Sequence, residues 1–104
     1  MTIYIVHSFY SKVNQAKKVA KLAVKKKLAA CANINKNINS IYIWKNKFFD
    51  ENEIEISFKT NSKKVKNLIS FIELNHPYEC PAIFAVPIKY NNKKYSEWVK
   101  KQTI

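Results

Sequence analysis

The stretch His76-Pro77-Tyr78-Glu79-Cys80-Pro81 sets an imidazole, a phenol, a carboxylate and a thiol within six consecutive residues that include two prolines. Imidazole, thiolate and carboxylate are metal-ligating groups, so the stretch reads as a candidate donor set. Each proline fixes its own φ and pushes the preceding residue toward extended geometry, which keeps His76 and Cys80 out of a helix. A stiff turn carrying four side chains of different chemistry is a natural place for a site. The alternative reading is architectural: the same prolines stop one helix and lead into the next strand.

The chain that must position these groups has 104 residues, enough for one domain with a modest core that an oligomer would help. Its 47% apolar and 13% aromatic content argues for a packed fold and against disorder. No apolar run approaches the roughly 20 residues of a membrane helix, and the N-terminus lacks a signal-peptide layout, so a soluble, cytoplasmic protein is expected. Cys31 and Cys80 show no CxxC or CxxH spacing, which argues against a disulfide framework or a structural zinc site and fits reduced thiols. Cys31 also reads as a small buried hydrophobe.

Nineteen basic residues, all lysine, oppose seven acidic ones for a net charge of +12. A field of that size supports weak, salt-sensitive binding to polyanions. A specific nucleic-acid reader is not expected, because base and phosphate recognition leans on the arginine fork and the chain has no arginine. Abundant Lys, Asn and Ile with no Gly or Arg suggest an AT-biased coding source. There is no Gly-rich phosphate loop, no HExxH and no nucleophile-base motif, so an enzyme is not expected.

Residues 2–10 read as a buried strand. Ser11 is placed as the cap of a helix running to about Lys27, with Val13, Ala16, Val19, Ala20, Ala23 and Val24 on one stripe and lysines outside. A turn from helix into a second strand follows at Leu28–Ile34, Asn35-Lys36-Asn37 interrupts it, and Ser40–Thr60 forms a long hairpin around Lys45-Asn46. With no glycine in the chain, asparagine is expected at left-handed positions. Within the hairpin, Ile54, Ile56 and Phe58 alternate with Glu53, Glu55, Ser57 and Lys59, the period of a half-exposed strand. Asn61 or Ser62 is placed as the cap of a second helix through Val65, Leu68, Ile69 and Ile72. Ile83–Ile88 is a fourth strand, edged by Pro87, and Tyr95–Gln102 a short C-terminal helix. This β-α-β-β-α-β order is α+β and predicts a ferredoxin-like sandwich with both helices on one face of a four-stranded antiparallel sheet. The bare sheet face and the protruding hairpin predict contacts between subunits.

Taken together, Leu28-Ala-Ala-Cys31-Ala-Asn33, Ser40-Ile41-Tyr42-Ile43-Trp44, Glu53, Lys59-Thr60, His76–Ile83 and Tyr95-Ser-Glu-Trp98 resemble the CutA family of divalent-cation tolerance proteins over nearly the whole chain. The resemblance implies a homotrimer, the binding of copper or other divalent ions, and an architecture similar to the PII signalling proteins, with clefts between subunits. The sequence departs from the family at Asn35-Lys36-Asn37, where Pro-Gly is usual, and at Asn46, where Gly is usual. Cys80 stands at a position variable in the family.

Two sets of candidates follow. A metal site would draw on Cys31, His76 and Glu79, with Cys80 a further donor, and thiolate plus imidazole would favour copper. His7 reads as a satisfied strand residue. A cleft for a small anionic ligand would be lined by Tyr42, Trp44, Glu53, Lys59, His76, Tyr78 and Trp98. The alternative is that these aromatics are trimer packing and Lys59–Glu53 a structural ion pair.

Overall fold

The computed structural model describes residues 1–104. The elements run β1 (Ile3–Tyr10), α1 (Val13–Lys25), β2 (Cys31–Trp44), β3 (Lys47–Asn61), α2 (Val65–Leu74), β4 (Ile83–Pro87) and α3 (Lys93–Gln102). The four strands form one sheet in the order β2-β3-β1-β4, with every pairing antiparallel. The ferredoxin-like α+β reading therefore holds. Pro87, which has no N–H to give, sits in the edge strand β4, where the missing donor costs least.

Strand alternation divides the sheet into two faces. Val6, Tyr10, Ile56 and Phe58 are fully buried against α1 and α2, where they meet Ala16, Ala23, Leu68 and Ile72. The spacing of the apolar residues on both helices matches that face, except that Val24, expected on the α1 stripe, is 37% exposed at the helix end. The opposite face carries Phe84 and Val86, which are 46% and 45% exposed, together with the His7–Glu55 pair. α1 and α2 leave it uncovered, and α3 covers only one end of it, where Val99 buries Ile3 and Thr103 meets Asn61.

Three local expectations are corrected. α1 is preceded by Lys12 as N-cap with no side-chain cap, so Ser11 does not cap it. The helix ends at Lys25 rather than Lys27, because Lys27 turns left-handed at φ 62°. Lys27 N–H then donates to Val24 and Leu28 N–H to Ala23, both at 3.0 Å. This is a Schellman end with lysine where glycine is usual. Likewise α2 begins after Lys64 without a side-chain cap, and Asn61 instead accepts the Lys63 N–H at 2.7 Å.

Asn35–Asn37 does not break the second strand. It is absorbed as a register shift between Asn35 and Ile38, so the hairpin extends from Cys31 to Asn61 rather than from Ser40 to Thr60. At its tip Lys45 and Asn46 both have positive φ, 52° and 64°, the geometry of a two-residue hairpin turn. Asn46 was anticipated there. Lys45 and Lys27 were not, since lysine has no local hydrogen bond to favour the left-handed region. The fold is drawn out by this hairpin to 44 × 25 × 21 Å.

Candidate functional site

The turn after α2 folds back over the end of β1 and reaches the middle and tip of the hairpin. The His76 Nε2–H donates to the carbonyl of Phe9 at 2.7 Å, and its Nδ1 accepts the Tyr78 N–H at 3.1 Å. A carbonyl only accepts and a backbone N–H only donates, so these two bonds define the neutral Nε2–H tautomer. The ring stacks on Tyr10 at 4.4 Å and meets Tyr78 edge-on at 4.7 Å. Burial pushes its pKa below the usual 6.5, against upward pulls from the Phe9 carbonyl and Glu53.

Glu53 lies on β3 and is only 8% exposed; its carboxylate accepts the Tyr78 hydroxyl at 2.6 Å. Burial first, and that carboxylate second, drive the Tyr78 phenol well above the usual tyrosine range. Nearby on the hairpin the Tyr42 hydroxyl donates to Glu51 at 3.1 Å, and Tyr42 stacks on its cross-strand partner Phe49 at 5.1 Å. The Tyr42 phenol is also raised, by desolvation and then by Glu51 and Glu53. Two carboxylates and two phenols thus gather where hairpin and turn meet.

The three proposed metal donors are not brought together in one chain. His76 spends both ring nitrogens on the backbone. Glu79 pairs with Lys45 at the hairpin tip, 3.1 Å apart and exposed. Cys31 begins β2, its Sγ 3.7 Å from the Tyr95 hydroxyl, and burial and the thiol raise that phenol to about 12. No three His, Cys, Asp or Glu side chains converge anywhere in the chain. Cys80 is an exposed free thiol, and His7 is satisfied by Glu55 at 2.9 Å while stacking on Phe84.

The cleft residues also separate. Tyr42, Glu53, Tyr78 and His76 form the cluster just described. Lys59 does not pair with Glu53: its Nζ donates to Asn33 at 2.6 Å and to Ser57 at 3.0 Å. The reason is the register, which sets Lys59 opposite Cys31 at the base of the strand pair and Glu53 opposite Ile38 in its middle. Trp98 is exposed and stacks on Tyr95 near Cys31, while Trp44 is exposed at the hairpin tip beneath Lys45. Sequence reasoning overlooked Glu51 and Tyr10. Glu51 had a readable signal, since it lies two positions before Glu53 on the same strand face.

Comparison with known proteins gives one family. The profile described as "CutA1 divalent ion tolerance protein" matches residues 4–102. Human Protein CutA is 40% identical over 88 residues, covering 85% of this chain and 49% of its own length, so the chain spans about half of that relative. The divalent-cation tolerance protein CutA of Thermus thermophilus is 34% identical, covering 85% of each chain. The crystal structure of CutA1 from Oryza sativa superposes with a TM-score of 0.94 at 33% identity, covering 100% of this chain and 95% of that one.

Proposed function

The chain belongs to the CutA1 divalent ion tolerance family, and from that premise we propose that it is a homotrimeric, cytoplasmic protein that binds divalent cations and is not an enzyme. The observation that carries this reading is the position of Glu51 and Glu53. The ion pairs of the chain are His7–Glu55 and Lys45–Glu79, so neither carboxylate has a lysine partner despite nineteen lysines. Bringing like charges together without a counter-charge is unfavourable unless a cation joins them. Carboxylate and phenol oxygens are hard donors, which favour a hard ion such as Mn(II) over the copper of a soft thiolate–imidazole site. One chain offers two carboxylates here, so a full shell draws on water or on a neighbouring copy.

Assembly is supported by the uncovered face. Phe84 and Val86 on the sheet, with Ile41, Ile43 and Phe48 on the hairpin, leave apolar surface that a single copy exposes to water. The second reading, a PII-like ligand cleft between copies, is favoured by exposed aromatics on two elements, Tyr42 and Trp44 on β2 and Trp98 on α3.

The test is calorimetric titration of reduced protein with Mn(II), Zn(II) and Cu(II), beside sedimentation velocity. The expected result is saturable binding by a trimer, weakened roughly tenfold or more by Glu53→Gln. Binding unchanged in Glu51→Gln and Glu53→Gln but abolished by Cys31→Ser would overturn the carboxylate site, and a monomer would overturn the assembly.

A further inference from the structure

The charge of this chain is segregated. All ten lysines of residues 1–49 stand without a single acidic residue, and the first carboxylate is Asp50. Within that half, Lys17, Lys21 and Lys25 repeat every four residues along α1 and rim a groove of about 420 Å³ between α1 and the edge strand β2. The floor is apolar, formed by Val24, Ala32 and Ile34, and no acidic residue lines it. Val24 is 37% exposed there. None of the three lysines takes part in an ion pair. Like charges at i and i+4 destabilise a helix, and only Lys25, in the last turn, is offset by the helix dipole.

The spacing selects a ligand. Four residues of helix advance about 6 Å, so the lysines stand about 6 Å apart over about 12 Å. Alternate side chains of an extended peptide lie about 6.6 Å apart on one side. An extended segment with acidic residues at every second position therefore meets the row in register. We propose that the α1–β2 groove docks an extended acidic peptide segment of a partner protein, its alternate carboxylates on Lys17, Lys21 and Lys25 and its apolar residues on the floor. A nucleic acid fits less well, because the groove has no aromatic side chain on which a base could stack and the chain has no arginine.

The test is fluorescence anisotropy with a labelled peptide alternating glutamate and valine, at low salt. The reading expects the triple variant K17Q/K21Q/K25Q to bind roughly tenfold or more weakly, since three exposed ion pairs together reach that size. The variant K63Q/K64Q/K66Q, at the start of α2, removes the same charge elsewhere and should bind within about twofold of the parent. Val24→Asn, which keeps every charge, should also weaken the alternating peptide. Equal loss in both lysine variants would show general charge attraction and overturn the groove. So would indifference to Val24→Asn, or displacement of the peptide by an equal concentration of oligothymidylate or of anionic vesicles. Circular dichroism of each variant separates lost binding from lost folding.

Discussion

The Tyr78 hydroxyl donates to the Glu53 carboxylate at 2.6 Å and ties the turn after α2 to the middle of the hairpin. These residues are 25 positions apart, and the bond is the one hydrogen-bond partner that this buried carboxylate has in the chain. Tyr78→Phe keeps the ring against His76 but leaves the carboxylate without its donor. The expected loss is about 1.5–3 kcal/mol, the usual range for a hydrogen bond to a charged group. Urea unfolding would read it, and Glu53→Gln, which keeps an acceptor, should cost less.

His76 makes stability depend on pH. Its folded pKa is lowered below 6.5 chiefly by burial, so the unfolded chain takes up the proton first as pH falls. The contribution is complete above the unfolded value and is lost as pH drops from there toward the folded pKa. Protonation also turns Nδ1 from an acceptor into a donor facing the Tyr78 N–H. Urea midpoints measured from about pH 8 down to about pH 5 should fall in this window. In His76→Gln that part of the decline should disappear.

The hairpin tip carries avoidable strain. Lys45 and Asn46 are both left-handed, and a lysine in that region costs about 1–2 kcal/mol. The double change Lys45→Asn and Asn46→Gly supplies the residues this turn prefers. A gain of about 1 kcal/mol would raise the thermal midpoint by about 4–8 °C in a domain of this size. Asn46→Val should shift the midpoint the other way.

The C-terminal helix is held by a buried relay. Asn61 Nδ2 donates to the Thr103 hydroxyl, and that hydroxyl donates to the Val99 carbonyl at 2.7 Å. Thr103→Val keeps the shape and removes both bonds. The unsatisfied Asn61 amide should cost about 1–3 kcal/mol. Hydrogen exchange should show the loss first in α3, with the α1–α2 core still protected.

Much of this fold is legible in the chain because its face-by-face patterning is local. The alternation Ile54-Ile56-Phe58 against Glu53-Glu55-Ser57 and the helical stripes of α1 and α2 each name a buried side without reference to the rest. The family resemblance rested on the same ordered motifs. Helix ends were less legible. Ser11 looked like a cap, but the backbone starts α1 one residue later, and Lys27 accepted a left-handed turn that nothing in lysine's own chemistry requests.

What the sequence determined by itself was the element order, the buried faces and the turn His76–Pro81 as a place where polar groups collect. Only the tertiary structure decided which of those groups meet. Register across β2 and β3 sent Lys59 to Asn33 and left Glu53 for Tyr78. The backbone took both nitrogens of His76, and the hairpin tip took Glu79. Donor chemistry belongs to a residue type, whereas convergence depends on strand register and on which backbone groups remain unpaired, and those are settled only when the whole sheet has formed.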